Sequence, residues 1–192
     1  MTEPMKYGQT EFEVHLPPEL IAAELEPNQV DLPQRTTAEH IRWALDHPID
    51  SAPLKELVKA GDKVCVVISD VTRRWQAPDT YLPILIGELE AAGVRDEDIL
   101  ILSATGTHRR QTEEEHIGLV TKPVYDRIRV EDHVCTDQDN LAYVGTTSRG
   151  TPVWLDKRAL ACDKIILTGG VVYHFMAGFG GGRKSILPGI AG

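Results

Sequence analysis

Three stretches of the chain are apolar almost without interruption: KVCVVIS (Lys63 to Ser69), ILILSAT (from Ile99) and KIILTG (Lys164 to Gly169). Runs of this length, rich in β-branched residues, read as strands buried on both faces. Between the first two, YLPILIGELEAAG reads as a helix, and TEEEHIGLV begins another with Thr112 as its cap. Upstream, TAEHIRWALDHPI predicts a helix opened by Thr36 or Thr37 and closed before Pro48. RIRVEDHV, the segment around Tyr143 to Val144, and TPVWL read as shorter strands. Near the start, Tyr7 to Leu16 alternates as an early strand with Phe12, Val14 and Leu16 on one face. A polar surface connection containing Pro27 and Pro33 then runs to about Arg35. Buried strands separated by helices predict an α/β fold with a mainly parallel sheet flanked by helices.

Composition adds a few limits. A chain of 192 residues can bury one good core, hiding about 70% of its extended surface. Its formal charge of −9 argues against a nucleic-acid partner gripped by a broad basic surface, though not against a local basic pocket. The opening MTEPMKYGQTEFEV has no apolar leader core, and no later stretch reaches membrane-spanning length, so a cytoplasmic location without a membrane partner is the expectation. Cys65, Cys135 and Cys162 are widely separated and show neither metal-ligand spacing nor a disulfide framework. Cys65 and Cys162, inside or beside apolar runs, read as small buried hydrophobes.

The candidate chemistry follows the three strongest strands. They lead into SDVTRRWQAPD, ATGTHRRQTEEE and TGGVVYHFMAGFGGGRK, each with a basic pair: Arg73-Arg74, Arg109-Arg110 and Arg183-Lys184. Open α/β sheets bind ligands outside the carboxyl ends of their strands, so these segments predict an anion pocket, against the plain reading of surface side chains. Asp70 and Arg73, three residues apart, form either an oriented anion grip or a structural turn salt bridge. Thr72 and Thr107 are phosphate donors or turn residues. Of seven histidines, His15, His40, His47, His116 and His133 sit in ordinary structural contexts. His108 and His174 lie just beyond buried strands, where two imidazoles could exchange protons with one substrate.

The run GFGGGRKS suggests a phosphate loop, but Arg183 stands where G-x-x-x-x-G-K-[ST] needs its second glycine. A dinucleotide G-x-G-x-x-G fails at the same residue. No close metal-binding pattern is present, and no metal ligand is assigned within the chain.

As a set, SDVTRR, GTHR and YHFMAGFGGGRKSILPGI resemble the N-terminal domain of the nickel-dependent lactate racemase family, over essentially the whole chain. The resemblance implies a Rossmann-like domain over residues 1–192, the N-terminal part of a two-domain protein, with the C-terminal domain absent and the isolated fragment inactive. It implies racemisation or epimerisation of a small anionic 2-hydroxy acid, lactate or a relative, by transient hydride transfer to a nickel-pincer nucleotide. That cofactor, a pyridinium-3-thioamide-5-thiocarboxylic acid mononucleotide holding nickel, is expected on Lys184 and to require cofactor-maturation proteins. His108 and His174 match the acid/base pair, Arg73 the substrate-carboxylate ligand and Asp70 its supporting residue. Thr72 and the backbone of Gly180, Gly181 and Gly182 are carried over as contacts to the nucleotide phosphate. A nickel-ligating histidine is expected beyond residue 192. Family members often have proline after the arginine of the Asp-x-x-Arg signature; here Arg74 stands in that place and could alter anion binding. The alternative is a non-catalytic phosphate- or mononucleotide-binding module.

Overall fold

The computed structural model describes residues 2–26, 28–31 and 33–192. Two compact units divide the chain, residues 1–34 and 35–192.

The first unit is built on an antiparallel hairpin of β1 (Thr2–Tyr7) and β2 (Thr10–His15), closed through Gly8 with φ +61°. A two-residue hairpin connection favours glycine for that left-handed geometry. Of the strand expected from Tyr7 to Leu16, the part Thr10–His15 is present while Tyr7 ends β1 across the turn, and the expected apolar face is not buried: Phe12 and Leu16 are exposed and Val14 is half-buried. So short a unit has too little apolar surface to close a core of its own. Of the expected connection, Pro33 lies in exposed irregular chain and Pro27 lies outside the described residues.

The second unit opens with α1 (Thr37–Asp46), capped by Thr36 in a reciprocal pairing with Glu39, and the single turn α2 (Leu54–Leu57). Then come β3 (Val64–Ser69), α3 (Pro78–Ala91), β4 (Ile99–Ala104), α4 (Glu113–Val120), the turn α5 (Lys122–Tyr125) and β5 (Arg129–Asp132). A second hairpin, β6 (Leu141–Thr146) with β7 (Pro152–Asp156), leads through the turn α6 (Lys157–Leu160) to β8 (Lys164–Leu167). The two-residue strands β9 (Tyr173–His174) and β10 (Gly178–Phe179) form a small antiparallel ribbon.

The central sheet is parallel throughout, in the order β5-β4-β3-β8. The two inner strands, β3 and β4, are apolar on both sides because both sides are covered. The edge strands β5 and β8 are half-buried to exposed, so the third apolar run, expected to be buried on both faces, is not: with a neighbour on one side only, β8 leaves Lys164 and Ile165 exposed. Val64, Val66 and Ile68 pack with Leu82, Ile86 and Leu89 of α3 and Leu119 and Val120 of α4. The alternate residues Cys65 and Val67 pack with Leu100, Leu102, Ala159 and Ile190 on the other face. Each fully buried aliphatic side chain here contributes about 1.5–3 kcal/mol. Burial also pushes the Cys65 thiol up, as expected of a small core hydrophobe. Cys162 is half-buried against the same cluster.

The order of the strands matters for function. From β3 the chain steps outward to β4 and β5, then returns to the opposite side of β3 as β8. This reversal opens a crevice at the carboxyl ends of β3 and β8, where such sheets take up ligands.

Candidate functional site

The segments leaving β3, β4 and β8 converge on a cavity of about 460 Å³. Arg73, His108, His174, Gly180, Gly181 and Lys184 all line it.

Asp70 lies at the end of β3, 2% exposed, and caps the 3-10 turn Val71–Gln76. Its Oδ1 accepts from the Thr72 backbone N–H at 3.2 Å, the Thr72 hydroxyl at 2.5 Å and Arg73 Nη1 at 3.2 Å. Its Oδ2 meets His108 Nδ1. The expected turn salt bridge is thus present, and it holds one edge of the Arg73 guanidinium. A carboxylate bound on Oδ2 makes Nδ1 the protonated nitrogen of a neutral His108 ring. The His108 backbone N–H closes a turn onto the Thr105 carbonyl at 2.9 Å.

His174 belongs to β9 and stacks on Phe175, with ring centroids 5.1 Å apart. Its Nδ1 accepts from the backbone N–H of Met176 at 3.2 Å and of Ala177 at 3.1 Å.

Lys184 sits in the 3-10 turn Gly182–Ser185. Desolvation holds its amine below the usual lysine range; Arg73 adds to this and Asp70 opposes it. A phosphate loop of the type considered above would open a full helix, whereas only this single turn follows the glycines. The glycines serve close backbone approach. A Cβ on Gly181, whose φ is +66°, would stand 2.8 Å from the Gly170 carbonyl oxygen. Gly180 donates its N–H to the Val172 carbonyl at 2.7 Å, so the run lies directly along the segment leaving β8.

The three basic pairs divide. Arg73 and Lys184 reach the cavity, while the Arg109 guanidinium makes two hydrogen bonds to Glu115 at 2.8 and 2.7 Å. That pairing holds the Glu115 carboxyl down at about 2. Arg74 lies against Gly118 of α4, outside the cavity lining. Arg183 is exposed and Arg110 lines a neighbouring cleft with His116 and Asp132. Thr107 lines the cavity, whereas the Thr72 hydroxyl is committed to Asp70, and Gly182 is outside the lining.

Two glutamines gave no signal in the sequence. Gln76 lines the cavity, and its Oε1 is buried without a hydrogen-bond partner among the described residues. Buried acceptors of this kind are usually paired, with protein or with an ordered water. Gln111 knots three strand ends together. Its Oε1 accepts from the Val71 N–H at 2.7 Å, and its Nε2 donates to Ser103 Oγ at 2.9 Å and Asp132 Oδ1 at 2.7 Å.

Comparison with known proteins gives consistent matches. Residues 7–192 match the family described as lactate racemase N-terminal domain. The lactate racemase of Lactiplantibacillus plantarum is 36% identical over 154 residues, 80% of this chain and 36% of the relative. That of Thermoanaerobacterium thermosaccharolyticum is 31% identical over 186 residues, 96% of this chain and 43% of the relative. The solved lactate racemase apoprotein from the latter organism superposes with a TM-score of 0.81 at 32% identity, covering 100% of this chain and 44% of that one. A protein from Thermotoga maritima gives a TM-score of 0.63 at 28% identity, covering 81% and 38%. The chain therefore spans less than half the length of these relatives.

Proposed function

Because the chain belongs to the lactate racemase N-terminal-domain family, we propose that it supplies the acid/base pair and the cofactor anchor of a 2-hydroxy-acid racemase or epimerase. The observation that carries this reading is the convergence of His108, His174, Arg73 and Lys184 on one cavity at the sheet's reversal point. In this reading Arg73 holds the substrate carboxylate, with one edge of its guanidinium already fixed by Asp70 and Thr72. His108 takes the hydroxyl proton at Nε2, its ring oriented through Nδ1 by Asp70. A proton from the opposite side, through His174, completes the inversion. Acid/base help of this sort contributes about 10²- to 10⁴-fold to a rate.

The residues present fit the anchoring of a nickel-pincer nucleotide. The Lys184 amine, held below the usual lysine range, suits a thioamide link, the Gly180–Gly181 backbone leaves its wall without side chains, and Gln76 offers an unpaired acceptor. When bound, this group supplies the hydride acceptor that lets the 2-carbon become planar. Among the described residues no three or more His, Cys, Asp or Glu side chains gather as a metal site. The reading leaves nickel ligation to the cofactor and to a histidine beyond residue 192. It also leaves the remaining cavity wall to a C-terminal domain, and cofactor synthesis to maturation proteins.

The test is intact-mass and nickel analysis of the full-length protein, produced with cofactor-maturation proteins and assayed for loss of optical activity across a panel of 2-hydroxy acids. A mass adduct that vanishes in Lys184→Ala, together with racemisation or epimerisation, is expected. Active protein that carries neither adduct nor nickel overturns the reading. Mononucleotide binding without turnover favours the binding-module alternative.

A further inference from the structure

The two cavity histidines differ in what meets their Nδ1 atoms. On His108 it is an acceptor, the Asp70 carboxylate. On His174 it is a pair of donors, the backbone N–H groups of Met176 and Ala177 at 3.2 and 3.1 Å. A neutral imidazole carries one proton, and the bond made by one nitrogen decides the state of the other. His108 therefore keeps its proton on Nδ1 and presents a lone pair at Nε2. His174 must place a lone pair on Nδ1, which puts its proton on Nε2.

We propose that the cavity holds its two histidines in opposite tautomers, His108 as the resting proton acceptor and His174 as a neutral Nε2–H donor. A proton can then leave or join Nε2 of His174 without forming imidazolate only when Nδ1 is protonated. Proton exchange at His174 thus requires the Phe175–Ala177 turn to release Nδ1. His108 carries no such constraint, because protonation at Nε2 leaves its bond to Asp70 intact. This inference rests on the reading of the pair as acid and base and adds an asymmetry to it: one histidine works within a fixed frame, the other through movement of the β9–β10 turn. Until that turn opens, His174 acts by donating a hydrogen bond to an oxygen of the bound hydroxy acid, its carboxylate or its hydroxyl.

The measurement is nitrogen-15 imidazole NMR of this 192-residue chain near pH 8, above the ordinary imidazole range of about 6.5. The expected spectrum shows the protonated, pyrrole-type signal at Nδ1 for His108 and at Nε2 for His174. The same tautomer at both positions, or a proton on Nδ1 of His174, overturns the proposal. Asp70→Asn is expected to turn His108 into a tautomer mixture while leaving His174 unchanged. Ala177→Pro, which removes one of the two donors, is expected to move His174 toward the Nδ1-protonated form and leave His108 unchanged. Should that proline unfold the ribbon, amide exchange in the unaltered chain supplies the second readout. Slowed exchange at Met176 and Ala177 supports the two bonds to Nδ1, and unprotected exchange at both overturns them. Because the tautomers are read without cofactor or turnover, their failure leaves the racemase reading standing. A missing Lys184 adduct with the tautomers intact does the reverse.

Discussion

Arg73 is anchored on one side by its two neighbours in the turn. Its Nη1 is tied sideways to Asp70 and Thr72 at 3.2 and 3.0 Å, which fixes the plane of the guanidinium before any anion arrives. Lysine preserves the charge but cannot keep that planar fork. In the full-length protein, Arg73→Lys is therefore expected to raise KM for the hydroxy acid about 10- to 100-fold, the worth of a charge-assisted hydrogen bond. Steady-state kinetics on the best substrate checks this, and an unchanged KM removes Arg73 from carboxylate binding. At this scale the sequence pointed to residues that leave the strand ends and that the fold brings together: His108 and His174 line one cavity, and Asp70 bonds to His108. It was silent where a residue's partners lie far along the chain. Gln111 bonds to Val71 forty positions away, and the Gln76 acceptor is defined by an absent partner. Neither fact has a local signature.

Helix starts were legible because capping is local. Thr36 with Glu39 and Thr112 with Glu115 each close a reciprocal pairing, with the threonine hydroxyl accepting at 3.3 and 3.2 Å. Thr112→Ala removes the cap of α4, the helix that carries Leu119 and Val120 into the core. The expected cost is about 1 kcal/mol, read as a lower urea midpoint at unchanged m-value. The Glu115–Arg109 pair beside it is exposed and adds little. The turns α2, α5 and α6 are too short to develop a helical period, and β9 and β10 have only two residues each. The strand β1, exposed at every position, offers no alternation for a sequence to show.

For the whole molecule, continuous apolar runs revealed a parallel sheet, but its order depends on where the chain reverses. That reversal is secured by a buried ionic cluster. Asp156 on β7 binds His133 at 2.9 Å and Arg158 Nη2 at 2.6 Å, and Arg158 Nη2 also donates to the Asp132 carbonyl at 3.0 Å. His133 Nε2 meets the Ala191 carbonyl at 3.0 Å, so the segment after the Lys184 turn is tied to the same cluster. Burial pushes the Asp156 carboxyl up, but hydrogen bonds from Arg158 and His133 outweigh it and hold it at about 2. An unfolded aspartate titrates near about 3.9. Since the folded value is the lower one, the stabilisation is complete above the unfolded value and is lost as pH falls through the folded value. Its size is on the order of 2 kcal/mol. Urea midpoints measured from about pH 5 down to about pH 2 should fall more steeply in the parent chain than in Asp156→Asn. Parallel slopes would contradict the assignment.

The crowding of donors around Asp70 has a further consequence. Four hydrogen bonds from Thr72, Arg73 and His108 already point at this carboxylate before a proton moves. In the proposed reaction, where His108 gains positive charge, the compensating negative charge needs no reorientation of solvent or side chains. The reorganisation energy that water would demand at that moment was spent when the chain folded.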